Sequence, residues 1–360
     1  MRQPNPIIVG AGPAGCAAAL RLARVGGRPL LIDRDEQAGD ALCGGFLSWA
    51  TLARLRDLGL PAEALGGQRI GQVALFAGGH EVRLGLPAPG MGLSRRRLDS
   101  LLRMAAGAAG AELRLGRAAW TLSPDRLTLD DGLELGWDSL FLATGKHDLR
   151  GVGRPHRGGD PELGLRLTLG GSATLDRLIG DRIELHMVAG GYVGVLRQEG
   201  GRANICMAVR KSRLALAGGR PRALLAELAD RHPALADRLA DLPADAQIDA
   251  IGHVPYGWRA RATWPGLYRL GDQAAAIPSL AGEGIGIALA SAQQATDRWL
   301  KEGRGGAVPY QRALARDARL PLAAAAAFRA LGRHPPLMRA LAAIPGAAGI
   351  AMRLTRIATP

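Results

Sequence analysis

Apolar residues follow three rhythms along this chain, and each predicts a different kind of element. Near the start, Pro6-Ile7-Ile8-Val9 is a short continuous apolar run of the kind that forms a buried strand. Residues 16–25 then place small and apolar side chains at helical spacing, with Arg21 and Arg24 on the polar side. Between the two lies Gly10-Ala11-Gly12-Pro13-Ala14-Gly15, and Arg28-Pro29-Leu30-Leu31-Ile32-Asp33 reads as a second strand. The middle of the chain alternates instead. Residues 72–76, the turn Ala77-Gly78-Gly79-His80 and residues 81–84 predict a hairpin. Residues 183–188, the turn Gly190-Gly191-Tyr192, residues 193–197, Gly200-Gly201 and residues 203–209 predict a meander. The end returns to helical spacing at 320–328 and 337–354, rich in alanine, with arginines interspersed and a break at Pro335-Pro336.

With 360 residues, the chain can hold one large α/β domain with a second sheet, or two modest domains. A hydrophobic share of 48% against 22% charged is that of a globular protein, and 51 glycines predict many tight turns. The net charge of +14 invites a nucleic-acid partner, but its distribution argues against one. Lysine occurs only at Lys146, Lys211 and Lys301, and the arginines are scattered singly apart from Arg95-Arg96-Arg97. No zinc-finger spacing, RNA-binding aromatic signature or basic tail accompanies them. Attraction for anionic cofactors, acidic substrates or membrane headgroups stays open. Cys16, Cys43 and Cys206 have no metal-ligand spacing, so no metal site is expected, and their odd number fits a reducing, cytoplasmic setting. The apolar run at the start follows a single Arg without a long hydrophobic region, which argues against a signal peptide. The most apolar part of the tail, residues 340–352, is too short to span a membrane and is interrupted by Pro345.

Strand, glycine turn and helix in succession form a dinucleotide fingerprint. Gly10 permits the tight turn, Gly12 lets backbone approach a pyrophosphate, and Gly15 lets the helix pack on the strand. Pro13 and Ala14 open a helix whose amides face the phosphates. The second strand ends at Asp33, eighteen residues after Gly15, where a carboxylate binds ribose hydroxyls, and Arg34 beside it joins the expected cofactor set.

Residues far from the fingerprint narrow the cofactor. Gly266-Leu267-Tyr268-Arg269-Leu270-Gly271-Asp272 reads as a strand ending in Gly-Asp, and Gly282-Glu283-Gly284-Ile285-Gly286 then enters an alanine-rich helix. This stretch resembles the second FAD motif of glutathione-reductase-type flavoproteins. The resemblance implies that Asp272, after Gly271, bonds the ribityl chain. It also implies that the turn containing Gly282, Gly284 and Ile285 sets amides near the flavin pyrimidine, where a helix start stabilises the anion of the reduced ring. The strand from Trp137 ends in Ala143-Thr144-Gly145, a triplet that recurs in the same proteins near the cofactor. Ser94-Arg95 with Leu98-Asp99 is similar to their Arg-x-x-Leu-Asp helix, which implies that Arg95 lies by the cofactor, the plain alternative being a solvated helix face.

Cys43-Gly44-Gly45-Phe46-Leu47-Ser48 is similar to the Cys-Gly-Gly stretch of geranylgeranyl reductases, a branch that shares its fold with para-hydroxybenzoate hydroxylase. It implies that Gly44 touches the cofactor and that Cys43 faces the substrate side of the flavin, or is a buried thiol that behaves as a hydrophobe. Tyr192 is the second candidate catalytic group, as substrate orienter or acid, or else a packed aromatic at a turn. Lys146 and His147 approach NAD(P)H or substrate, or lie on a loop surface. His186 reads as structural, Cys16 and Cys206 as core.

The resemblance covers roughly residues 5 to 300. It implies an α/β fold with a Rossmann-like FAD-binding domain of the glutathione-reductase type, an antiparallel β-sheet substrate domain and C-terminal helices. The expected partition is a discontinuous FAD domain of 1–67, 91–150 and 262–304, a substrate sheet of 68–90 and 151–261, and a helical region of 305–360. It departs from both prototypes. Tyr192-Val193-Gly194-Val195-Leu196-Arg197 keeps only the tyrosine of the reductases' Tyr-x-Trp-x-Phe-Pro segment, and the hydroxylases' Asp-Gly pair is missing after Thr144. No second dinucleotide fingerprint occurs, so NAD(P)H is expected to bind transiently. The implied function is FAD-dependent hydroxylation of a lipophilic or aromatic metabolite such as a polyketide-type phenol, the alternative being C=C reduction on an isoprenoid-like chain. Halogenation is disfavoured because no Trp-x-Trp-x-Ile-Pro segment is found, and a basic binding protein with a vestigial flavin is the reading from another class. The tail reads as a cap on the sheet, or as an amphipathic surface that admits a lipophilic substrate through peripheral membrane contact. Oligomeric state is left open.

Overall fold

The computed structural model describes residues 5–357 apart from 156–158, 253, 333 and 345. The expectations placed on residues 1–4, on Pro345 and on 358–360 lie outside the described residues.

Two sheets organise the chain. The first has five parallel strands in the order Leu267–Arg269, Leu140–Leu142, Ile7–Val9, Leu30–Asp33 and Glu112–Leu115. Ile7–Val9 is central and wholly buried, with Ile8 opposite both Leu31 and Phe141, which is why its sequence is a continuous apolar run rather than an alternation. The helices Pro13–Arg24, Arg95–Ala108 and Gly284–Glu302 pack together on this sheet. Arg21 crosses between two of them to reach Thr296 at 2.9 Å and Asp297 at 2.5 Å. Beneath them, Phe141 stacks on Tyr268 at 4.8 Å between ring centroids.

Two glycines make this geometry possible. Gly10 adopts φ +103, and a Cβ there would stand 2.4 Å from the Ala143 carbonyl oxygen. A Cβ on Gly15 would stand 1.8 Å from the carbonyl oxygen of Gly10, so the helix meets the turn with no room for a side chain.

The second sheet has eight strands, ordered Asp249–Ile251, Glu162–Leu169, Ala203–Arg210, Gly191–Arg197, Arg182–Val188, Gln68–Ala77, His80–Gly92 and Phe46–Leu47. The predicted hairpin and meander are adjacent in it, joined by a parallel pairing of Ile183 with Val73. Both hairpin strands run well past 72–84, with Gln68, Arg69 and Ile70 paired to Gly92, Met91 and Gly90. Tyr192 lies inside the strand Gly191–Arg197 rather than at the turn before it. Among the described residues, helices Ala173–Ile179, Lys211–Leu216, Pro221–Arg231 and Pro233–Leu239 lie within a stretch that read as strands alone. Their leucines, with Leu224 and Leu235 fully buried, cover the face that carries Leu165, Val193 and Ile205. A small antiparallel sheet of Ala119–Leu122, Arg126–Leu129 and Glu134–Gly136 was likewise not anticipated.

A buried ion network ties a covering helix to the sheet. Glu184 is fully buried and accepts two bonds from Arg238, at 2.8 and 2.9 Å, while His186 lies 3.2 Å from it and stacks on Phe76 at 4.3 Å. The tail forms helices Ala307–Asp317, Arg319–Leu331, Pro335–Ala343 and Ala347–Leu354. Pro335 and Pro336 open a helix instead of merely ending one, as proline does in a first turn whose amides need no partner. Among the described residues, no helix is long and apolar enough to cross a membrane.

Candidate functional site

A single cavity of about 1220 Å³ runs from the glycine turn to the second sheet. Of the residues singled out in the sequence, Gly10, Gly12, Pro13, Ala14, Asp33, Arg34, Cys43, Gly44, Arg95, Thr144, Gly145, Tyr192, Gly271, Asp272, Gly282, Gly284 and Ile285 all line it. Gly15 does not, and its contact with Gly10 is one of packing.

At one end the walls are backbone. Helices Pro13–Arg24 and Gly284–Glu302 both begin at this cavity, and neither has a side chain capping its N-terminus. Uncapped first-turn amides and the positive end of the helix dipole favour an anionic group. A Cβ on Gly44, Gly145 or Gly284 would meet nothing within 4 Å, and one on Gly12 only the Arg95 guanidinium at 3.4 Å. These positions therefore leave space that the protein itself does not fill. The arrangement fits a dinucleotide: two amide clusters with open approaches, and an acidic residue at the second strand's end.

Side chains hold that backbone in place. Asp33 accepts from the Ala11 amide at 2.5 Å and the Asp35 amide at 2.9 Å, and pairs with Arg103 at 3.2 Å. Arg103 also donates to the Ala11 and Asp35 carbonyls, at 3.2 and 2.9 Å. Arg95 binds Asp99 through two bonds, at 3.0 and 2.7 Å. Arg103 was missed, although its spacing of four from Asp99 and eight from Arg95 sets all three on one helix face.

On the far side of the cavity the loop 40–45 is suspended by distant residues. Asn204 donates to the carbonyls of Cys43 at 3.1 Å and Gly44 at 2.8 Å, and Lys146 donates to that of Leu42 at 2.8 Å. Arg166, buried, holds the Asp40 carboxylate and carbonyl and the Asn204 side chain. Lys146 thus turns inward. Burial works against its charge, yet Tyr256 and Asp272 leave its pKa above the ordinary lysine value. Arg154, also buried, reaches Asp148 at 2.7 Å, the Lys146 carbonyl at 2.8 Å and the Asp272 carbonyl at 3.0 Å, joining the Ala-Thr-Gly loop to the Gly-Asp motif. Neither Arg154, Arg166 nor Asn204 belongs to a recognisable motif. The one local signal is an arginine between Leu165 and Leu167 in an otherwise apolar strand. His147 lies 3.1 Å from Arg34, and burial and that guanidinium push its pKa down, so the ring stays neutral.

Cys43 borders the cavity, and its Sγ accepts the Gly45 amide at 3.4 Å. The Tyr192 hydroxyl donates to Ser279 Oγ at 2.8 Å, and burial raises its pKa well above the ordinary phenol value, so it remains a neutral donor. Burial pushes the Cys206 thiol up to about 12 and the Cys16 thiol further still, which leaves both unreactive. Beyond Phe46, Leu185 and Leu280 the large cavity meets a smaller apolar cleft of about 70 Å³ between the second sheet and the tail helices. Glu283 closes the same corner. It accepts from Ser48 at 3.1 Å and pairs with Arg356 at 3.0 Å, which binds the Cys-Gly-Gly stretch, the Gly-Glu-Gly turn and the tail to one another.

Residues 5–126 match the family model described as an FAD binding domain. A menaquinone reductase of Mycobacterium tuberculosis (strain H37Rv) is 35% identical over 150 residues, which is 39% of this chain and 37% of that protein. The chain therefore aligns with little more than a third of that relative. Among solved structures, P. aeruginosa PqsL in complex with 2-aminobenzoylacetate superposes with a TM-score of 0.73 at 16% identity, over 93% of this chain and 98% of the other. A geranylgeranyl bacteriochlorophyll reductase-like protein from Thermoplasma acidophilum does so with a TM-score of 0.71 at 17% identity, over 97% and 98%. At these identities the likeness is one of fold.

Proposed function

This chain is built on an FAD-binding domain within the fold shared by PqsL, a probable FAD-dependent monooxygenase from Pseudomonas aeruginosa, and a geranylgeranyl reductase-like protein, and from that premise we propose that it is a flavin monooxygenase acting on a lipophilic or aromatic small molecule. The observation that carries this reading is the continuity of the cavity from the uncapped helix starts to the apolar side chains Phe46, Leu185 and Leu280. Bound there, FAD would supply electron transfer from NAD(P)H to dioxygen, one oxygen atom going to the substrate and the other leaving as water.

The protein's own residues do the rest. The amides of Gly12 and Ala14, with the Arg95 guanidinium, would bind the pyrophosphate end, Asp33 and Arg34 the adenosine side, and Thr144, Gly145, Gly271 and Asp272 the ribityl chain. Gly44, Gly282, Gly284 and Ile285 would border the ring, where the helix start would favour negative charge on it. Tyr192, held to Ser279, orients a polar substrate group, and Cys43 borders the substrate. Replacing Tyr192 with Phe lowers product formation while leaving flavin reduction by NAD(P)H unchanged; equal loss of both steps removes that role.

A second reading, C=C reduction, is favoured by the similarity to a protein named menaquinone reductase. Anaerobic reduction with NAD(P)H followed by air separates the two. A monooxygenase reoxidises quickly, couples oxygen uptake to product and gives nothing without oxygen. A reductase gives product in its absence.

A further inference from the structure

The outer face of helices Arg319–Leu331, Pro335–Ala343 and Ala347–Leu354 differs in kind from the rest of the surface. After Asp317 the sequence has no aspartate, glutamate or lysine, while it carries Arg319, Arg329, Arg333, Arg339, Arg353 and Arg356. Among the described residues of this stretch, those exposed are alanine, leucine, isoleucine, proline and glycine, together with Arg319, His334 and Arg353; none is an acid, an amide or a hydroxyl residue. Leu320, Leu337, Ile344 and Ile350 are 58%, 55%, 56% and 62% exposed. A helix face meant for water carries glutamate, glutamine or lysine, as the helix Gly284–Glu302 does with Lys301 and Glu302.

We propose that this face rests on the surface of an anionic lipid bilayer. Its leucines and isoleucines would enter the boundary between headgroups and acyl chains, and the exposed Arg319 and Arg353 would meet lipid phosphates, whereas Arg329 and Arg356 are already paired with Glu162 and Glu283. Charge complementarity selects this occupant over a second copy of the chain, since two such faces would set arginine against arginine with no acid between them. The location agrees. Phe328, Ala351 and Met352 of the same helices wall the small apolar cleft, whose other side is Val73 and Leu75 and which borders the large cavity at Leu185 and Leu280. A docked tail therefore sets that apolar passage over the membrane, a route for a substrate that partitions into lipid. Only this last point rests on the proposed function.

The test is co-sedimentation of the FAD-loaded full chain with vesicles of phosphatidylglycerol and phosphatidylcholine, and with phosphatidylcholine alone. Binding to the mixed vesicles is expected, falling with added salt. The double substitution Ile350→Asp and Leu354→Asp should lower vesicle affinity by about tenfold or more, and Arg353→Glu by a smaller factor. Bound FAD should be unchanged in all of them. Should the double variant fold poorly, Arg353→Glu and the salt series alone decide the matter. Protein left in the supernatant with anionic vesicles overturns the proposal, as does binding indifferent to both salt and substitution. Self-association dispersed by Ile350→Asp would instead assign the face to a second copy. Because no turnover enters these readouts, the membrane inference and the monooxygenase reading can fail separately.

Discussion

The two ends of the large cavity are made of different material. At the glycine end the walls are main chain: Gly10, Gly12 and two helix starts, supported by a turn so close that Gly15 has no room for a Cβ. At the sheet end the loop 40–45 owes its position to side chains from three remote segments, Lys146, Arg166 and Asn204, within a sheet braced by the buried Glu184–Arg238 pair. Main-chain walls serve a ligand part that is always the same, because amides and helix dipoles recognise phosphate in any sequence context. Side-chain walls can be exchanged one at a time, which suits the end that must recognise a particular substrate.

Substitutions at each end should therefore fail differently. The largest effect is expected for Glu184→Gln, which leaves Arg238 buried beside a neutral partner and costs about 3–5 kcal/mol at neutral pH. Burial raises the Glu184 carboxyl, but the bonds from His186 and Arg238 outweigh it and hold its pKa below the ordinary value. A carboxylate depressed in the folded state stabilises fully above its unfolded pKa, and that stability is lost as pH falls through the lowered folded value. The gap in denaturation midpoint between wild type and Glu184→Gln should accordingly narrow on acidification, and a gap that does not change with pH would remove the charge from the explanation. Gly15→Ala comes next, with a loss of about 1–3 kcal/mol or more from overpacking and no FAD retained, read by thermal melting and flavin absorbance. Asn204→Ala should cost about 1–2 kcal/mol by leaving the Cys43 and Gly44 carbonyls short of a donor, yet still bind FAD. If Asn204→Ala lost FAD as completely as Gly15→Ala, the division between the ends would not hold.

The same division decides what could be read in the sequence. Gly10 to Gly15, Asp33 and Gly282 to Ile285 were legible because a backbone site is contiguous: its glycines, its strand and its helix lie within a few turns of one another. The parallel sheet followed from runs such as Ile7-Ile8-Val9. Arg154, Arg166 and Asn204 were not legible, since each is a single polar residue with at least one partner more than a hundred positions away, and only folding brings them together. The helices at 173–239 escaped notice because their leucines cover the sheet in short segments, too brief for helical periodicity to stand out from alternation.

Gly12 offers the sharpest test of whether the backbone end holds FAD. Unlike Gly10 and Gly15 it has an ordinary φ of −82, and a Cβ there would touch only Arg95 at 3.4 Å, so a substitution is compatible with the fold. Titration of the flavin-free wild type and of Gly12→Asp with FAD, alongside their circular dichroism and thermal midpoints, is the direct measurement. Saturable binding by the wild type, and none by an equally folded Gly12→Asp, is the predicted result. A wild type that takes up no FAD, or a folded Gly12→Asp that binds it as tightly as the wild type, would contradict the account.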